Sequence, residues 1–60
     1  MRIQINGAPE EVPAGSTLAA LVVRRPGIAA AVNGDVVRDW ESVMLREGDL
    51  VEVLTAFQGG

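Results

Sequence analysis

Sixty residues, a net charge of −3 and the complete absence of Cys and His limit what this chain can be. A chain of this length forms one domain with a small core, because it hides only about 60% of the surface that its unfolded state exposes. Without Cys and His, disulfides, thiol chemistry, zinc sites and the usual nucleophile and base pairs are excluded. Five Arg against eight acids leave no basic stripe for nucleic acid. No apolar run is long enough to span a bilayer or to form a signal-peptide core, so we expect a cytoplasmic protein.

The first arm of the chain is predicted to be a hairpin. Apolar residues alternate with polar ones over residues 1–6, which is the period of a half-buried strand. Asn6-Gly7 then supplies the positive-φ dipeptide of a tight turn. The return strand, about residues 9–13, is acidic and bracketed by prolines, which cannot donate to a ladder. We therefore expect it at the edge of a sheet.

A short helix is predicted next. Ser16 is the expected N-cap, and the apolar residues that follow recur at i, i+3 and i+4: Leu18, Leu21 and Val22. Arg24 and Arg25 would complement the negative end of the helix dipole. Pro26-Gly27 is expected to end the helix.

The middle of the chain predicts a second hairpin and a loop. Residues 28–32 read as a strand, with Ile28, Ala30 and Val32 on one face and two small alanines on the other. Asn33-Gly34 is the turn that leads into residues 35–38. Residues 39–47 have weak periodicity and predict a loop with one helical turn around Trp40, whose ring we expect to cover the edge of the core.

Residues 50–55 predict the last strand, which can pair parallel to the first. The order of elements indicates an α+β fold in which a mixed sheet of four to five strands wraps around one helix. A single helix cannot cover both faces of a sheet, so one face is left for water or a partner. The alternation places seven residues on this open face: Arg2, Gln4, Ala29, Ala31, Leu50, Glu52 and Leu54.

The chain ends with Gly59-Gly60, which cannot help the fold, because glycine loses the most backbone freedom on ordering. An α-carboxyl group has a pKa of about 3.5, so at neutral pH it is a poor electrophile but can attack an activated phosphate. Activation by ATP would make the carbonyl of Gly60 open to sulfur, nitrogen or other nucleophiles. Neither glycine has a side chain that hinders the approach.

Short motifs spread over the whole length carry a family resemblance. They are Asn6-Gly7, Gly15-Ser16-Thr17-Leu18, Ala31-Val32-Asn33-Gly34, Val36-Val37-Arg38, Trp40, Glu47-Gly48-Asp49-Leu50-Val51-Glu52-Val53 and Gly59-Gly60. The most specific is a Gly-Asp turn before a Val-Glu-Val strand that runs within a few residues to a terminal Gly-Gly. On these residues the chain resembles the MoaD and ThiS family of small sulfur carriers, and in particular the ThiS-type carriers of thiamine biosynthesis.

The resemblance implies a ubiquitin-like β-grasp domain over residues 1–55 and a flexible tail over residues 56–60. It also implies that a ThiF-like adenylyltransferase uses ATP to activate Gly60, and that sulfur from a cysteine-derived donor then replaces the adenylate. The resulting thiocarboxylate would deliver sulfide to a ThiG-like thiazole synthase. In that cycle the chain is a protein substrate and not an enzyme, it binds no cofactor or metal itself, and Gly59 is the slim neighbour that lets the tail thread into partner sites. We expect the free chain to be a monomer.

Four residues are candidates for binding these partners: Leu50, Leu54, Phe57 and Gln58. Two leucines beside small alanines would form a modest apolar patch with a polar rim, which suits a transient interface, although scattered surface residues are the plainer interpretation. The acids near the tail could meet a basic partner surface or simply be solvated. No acidic pair matches a calcium-loop spacing, so no metal site is predicted.

Two other functions remain open from the sequence. The small subunit of molybdopterin synthase shares the fold, the tail and the sulfur chemistry, although the short length and the approach to the tail favour the thiamine branch. A ubiquitin-like modifier, or a non-covalent interaction module, would use the same end differently or not at all.

Overall fold

A computed structural model describes residues 1–24 and 27–54 of the chain. Its elements are β1 (Arg2–Ile5), β2 (Ala8–Glu11), α1 (Leu18–Arg24), β3 (Ala29–Val32), β4 (Asp35–Val37), a 3-10 helix (Trp40–Ser42) and β5 (Leu50–Leu54). The predicted boundary between domain and tail at residue 55, and the predicted roles of Arg25 and Pro26, lie outside the described residues. Within them, no helix is long and apolar enough to cross a membrane.

The strands form one mixed sheet in the order β2-β1-β5-β3-β4. The first and last strands pair in parallel through Gln4 with Leu50 and Ile5 with Val51, as the sequence predicts. The other neighbours are antiparallel. β2 lies at one edge, where its proline and acidic residues predict it.

Both hairpins turn through an Asn-Gly pair. Asn6 and Gly7 have φ of 51° and 86°, and Asn33 and Gly34 have φ of 52° and 89°. These values confirm the predicted two-residue turns, whose central residues both need positive φ. The turns fix the register, so that Ile5 faces Ala8 in the first hairpin and Val32 faces Asp35 in the second.

The helix is capped by Thr17 and not by Ser16, which corrects the sequence-based expectation. The Ala20 N–H donates to Thr17 Oγ1 at 3.2 Å, the bond from the third helical residue to an N-cap. Ser16 Oγ instead donates to the Pro13 carbonyl at 2.6 Å and closes the preceding turn. Both residue types can cap a helix, so sequence alone does not separate two neighbours that each find a partner.

The core lies between the helix and the inner face of the sheet. The helix contributes Leu18, Leu21 and Val22, at the predicted spacing. The other buried apolar residues are Ile3, Ile5, Val12, Ala30, Leu45, Val51 and Val53. None of the buried residues in the described part of the chain is polar or charged, so the domain is held by aliphatic burial of about 1.5 to 3 kcal/mol per large side chain.

The loop before β5 is tied to the start of the helix. Leu18 N–H donates to Val43 O, and Leu45 N–H donates to Ser16 O, both at 2.9 Å. These bonds bury Leu45, a core residue that the weak periodicity of the loop conceals. Trp40 starts the single helical turn as predicted; its ring packs on the core and its Nε1 donates to Val37 O at 2.8 Å.

Ile28 does not belong to the inner face, where the alternation predicts it. β3 begins only at Ala29, and Ile28 lies in a bend with 66% of its surface exposed. The chain bends there because Gly27 is pressed against the end of β5. A Cβ on Gly27 would lie 2.5 Å from Val53 Cγ1 and 2.6 Å from Leu54 O. The need for glycine at this position is steric.

The first testable consequence concerns Gly27. Replacing Gly27 with Ala should destabilise the domain by about 1 to 3 kcal/mol, because the new methyl group meets a backbone carbonyl that cannot rotate away. Thermal denaturation followed by circular dichroism should show a melting temperature lower by about 4 to 8 °C per kcal/mol. An unchanged melting temperature would show that the backbone at Gly27 can move away from β5 without a cost in stability.

Candidate functional site

The outer face of the sheet is the candidate site, and β5 runs through its middle. β5 exposes Leu50, Glu52 and Leu54 while its two valines are buried, as predicted. The two leucines are 51% and 58% exposed. Because β5 has a strand on each side, these side chains stand at the centre of the face and not at its rim.

Apolar surface is concentrated where β5 ends. Leu54 faces Ala29 across the β3–β5 ladder, and Ala31 faces Val36 across the next ladder. Val36 is 72% exposed. A depression of about 320 Å³ lies beside this strand end and reaches round the β4 edge. Its lining consists of Ile28, Ala29, Val36, Val37, Arg38 and Trp40. The candidate site at this end is therefore an apolar patch beside Arg38.

The opposite end of the face carries Gln4 and Glu52 beside Leu50. A depression of about 240 Å³ there is lined by Gln4, Leu50, Glu52 and the two hairpin glycines Gly7 and Gly34. Of the predicted site residues, Leu50 lies at this end and Leu54 at the other. The two leucines thus lie on the same face but have different neighbours: Leu50 lies beside Gln4 and Glu52, and Leu54 lies opposite Ala29.

The end of β5 is bonded on one side by a side chain. β1 ends at Ile5, and beyond it the side-chain amide of Asn6 bonds to β5. Asn6 Oδ1 accepts the Val53 N–H at 2.9 Å, and Asn6 Nδ2 donates to Val53 O at 3.4 Å. On the other side, Ile28 N–H donates to Leu54 O at 2.8 Å. The last described residues of β5 are thereby held from both sides.

The start of β5 is held by the other hairpin. Asn33 Oδ1 accepts the Leu50 N–H at 3.0 Å, and Asn33 Nδ2 donates to Asp49 Oδ1 at 3.0 Å. Asp49 also accepts the Arg46 N–H at 2.7 Å, and Glu47 accepts the Arg2 N–H at 3.0 Å. Asp49 and Glu47, which the sequence suggests as contacts for a basic partner, therefore make hydrogen bonds within the turn before β5.

The remaining predicted site residues, Phe57, Gln58, Gly59 and Gly60, lie outside the described residues. They follow β5, whose last residue is Leu54. Six residues come after Leu54 in the sequence, and fully extended they could span at most about 20 Å.

Comparison with known proteins decides the family. A model of the ThiS family matches residues 3–60. The chain belongs to the ThiS family. It is a ThiS-type sulfur carrier with the ubiquitin-like β-grasp fold. No curated protein sequence matches the chain.

Solved structures of ThiS proteins share this fold. The crystal structure of the thiamine biosynthesis protein ThiS from Geobacter metallireducens is 23% identical, has a TM-score of 0.79 and is aligned over 100% of both chains. An NMR solution structure of a thiamine biosynthesis protein from the same organism is also 23% identical, with a TM-score of 0.74 over 100% of this chain and 88% of that one.

Three residues near the end of β5 were missed by sequence reasoning about this ThiS-family chain: Ile28, Val36 and Arg38. Val36 could have been found, because a two-residue turn at Asn33-Gly34 places it opposite Ala31 and hence on the open face. Ile28 could not, because its exposure follows from the contact between Gly27 and β5. Arg38 was noted only as part of a motif, and the surface that it shares with Val36 depends on the folded edge of the sheet.

The placement of the leucines can be checked by stability. Changing Leu50 or Leu54 to Ala should cost less than about 1 kcal/mol, since both side chains are half exposed. Changing the fully buried Leu18 to Ala should cost about 2 to 5 kcal/mol. Urea denaturation of the three variants measures this contrast, and equal losses would contradict the assignment of an open face.

Proposed function

We propose that this chain carries sulfur for thiazole formation in thiamine biosynthesis, with Gly60 as the residue that is adenylated and then thiocarboxylated. The observation that carries the proposal is the course of β5. The central strand of the sheet exposes Leu50 and Leu54 on the open face, and in the sequence six residues separate its end from the end of the Gly59-Gly60 pair. Membership of the ThiS family and the thiamine biosynthesis names of the structural relatives support the thiamine branch.

The chemistry needs two steps at the carboxyl group of Gly60. An oxygen of the carboxylate attacks the α-phosphate of ATP, and pyrophosphate leaves. Sulfur at the oxidation level of sulfide then attacks the carbonyl carbon, and AMP leaves with the electron pair of the carbon–oxygen bond. The thiocarboxylate that results can pass its sulfur to an acceptor.

The chain itself acts as a substrate in these steps. Carriers of the ThiS type are not enzymes, and this one has no Cys or His that could act as a nucleophile or base. ATP and the sulfur donor are bound by partners, for which a ThiF-like adenylyltransferase, a cysteine-derived sulfur source and a ThiG-like synthase are the proposed candidates. The chain contributes a docking surface and an acyl group.

The open face is the proposed docking surface. Leu54 is its main anchor, because it is large, half exposed and directly before the tail. Ala29 and Val36 extend the apolar area beside it, while Phe57 and Gln58 would enter the partner with the tail. Leu50 would contact the partner at the opposite end of the same face, beside Gln4 and Glu52.

The modification is tested by intact-mass spectrometry after incubation with a ThiF-like enzyme, ATP and a sulfur source. Exchange of one oxygen for sulfur on the chain supports the carrier. Attachment of another chain would identify a modifier, and no change would identify an interaction module. A variant lacking Gly60 is the control, and it should stay unmodified.

The branch is tested by the acceptor. The thiocarboxylated chain should lose its sulfur when incubated with a thiazole synthase and its substrates, and keep it with the large subunit of molybdopterin synthase and its substrate. The reverse result would assign the chain to molybdenum cofactor synthesis, in which the small subunit of molybdopterin synthase is the sulfur carrier.

The docking surface is tested by Leu54→Ala. Loss of a central apolar anchor should raise the KM for the carrier in the adenylation reaction about tenfold, which corresponds to about 1.4 kcal/mol. Val23→Ala is the matched control, because Val23 is 79% exposed on the helix and away from the sheet. Equal KM values for the two variants would place the interface elsewhere.

A further inference from the structure

The last pairing of β5 on the β1 side involves a side-chain amide. The parallel ladder reaches Ile5 and Val51, and Asn6 N–H still donates to Val51 O at 2.9 Å. The next backbone groups of β5 on that side are the N–H and C=O of Val53, and both bond to the amide group of Asn6. Asn6 thus continues the ladder past the point where β1 turns away.

Asparagine suits this position for two separate reasons. Asn6 has a φ of 51°, a conformation that Asn and Gly adopt far more readily than other residues. Its amide also carries one acceptor and one donor, which match the N–H and the C=O of Val53. Glycine would satisfy the turn but leave both groups of a buried residue without this partner, and aspartate would supply only the acceptor.

The second hairpin provides a comparison within the same fold. Asn33 occupies the equivalent turn position with a φ of 52°, and its Oδ1 also accepts an N–H of β5. That N–H belongs to Leu50, at the start of the strand, whereas the one bonded by Asn6 belongs to Val53, next to its end. The two asparagines hold opposite ends of β5, and the amide Nδ2 donates to the Val53 carbonyl in Asn6 but to the Asp49 carboxylate in Asn33.

We propose that Asn6 is a positioning residue for the carrier terminus. By bonding Val53, it fixes residues 53–54 at the end of β5. It thereby fixes the point from which residues 55–60 extend into the activating enzyme. The inference rests on the proposed role of Gly60. Asn6 contacts neither ATP nor the sulfur donor in this view, and acts only through the strand.

The size of the effect follows from the ordering that docking requires. Leu54 is the proposed anchor, and it is followed by six residues that must enter a partner site. Without the Asn6 bonds the end of β5 is paired on the β3 side alone, so the partner must restore order equivalent to about one backbone residue on binding. That cost corresponds to about a tenfold loss of apparent affinity.

The test compares Asn6→Gly with Asn33→Gly. Both changes keep a residue that accepts positive φ, and both remove side-chain bonds to β5. Amide hydrogen exchange in the full chain should accelerate at Val53 in N6G and at Leu50 in N33G. In the adenylation reaction with a ThiF-like enzyme and ATP, N6G should raise the KM for the carrier about tenfold with kcat nearly unchanged, while N33G should leave both nearly unchanged when concentrations are corrected for the folded fraction.

Several results would overturn the inference. Equal KM changes in N6G and N33G would reduce Asn6 to a general stabiliser, and a change confined to kcat would exclude a positioning role on docking. An unchanged KM in N6G would also contradict the inference.

If N6G does not fold, Asn6→Asp is the variant to test. Aspartate keeps the acceptor for Val53 N–H but loses the donor, so the KM should rise about threefold, which is less than the tenfold rise expected when both bonds are lost. If the unaltered chain is not adenylated at all, the proposed function fails and not this inference alone.

Discussion

The pairing of β5 between β1 and β3 is the constraint on which the rest of the structure depends. Each hairpin closes locally through its Asn-Gly turn, and β5 lies between the two hairpins in the sheet. The same strand buries Val51 and Val53 in the core and exposes Leu50 and Leu54 on the outer face. Its start and its end are each held by an asparagine side chain from a different hairpin. One five-residue strand therefore joins the sheet, completes the core and leads to the terminus.

Much of this arrangement follows from the sequence. The alternation in β1 and β5, the helical spacing of Leu18, Leu21 and Val22, and the two Asn-Gly turns each have a local physical cause, and each predicts the observed element. The open face follows as well, since one helix can cover only one side of a sheet. The parallel pairing of the first and last strands was predicted from the order of elements, because a crossover connection permits it.

The errors arise where tertiary contacts overrule local pattern. Ser16 and Thr17 are both residue types that cap helices. In the fold Thr17 is the cap, while Ser16 bonds back to Pro13. Ile28 continues the alternation of β3 on paper, but the close approach of Gly27 to Val53 places a bend there. The bonds between Asn6 and Val53 could not be foreseen, because the residues lie at opposite ends of the chain and their meeting depends on the register of β1 against β5.

The edges and the open face of the sheet differ in what they allow another protein to do. At the β2 edge, Pro9 lacks an N–H, and Glu11 lies 3.4 Å from the Nε of Arg2; at the β4 edge, the strand is only three residues long. Short edge strands, prolines and charges oppose lateral pairing with another sheet.

Association through the open face is not opposed in this way, but Glu52 stands between Leu50 and Leu54 at its centre. A partner with an Arg or Lys opposite Glu52 would pair the charge that it covers, whereas a partner without one would bury the carboxylate unpaired.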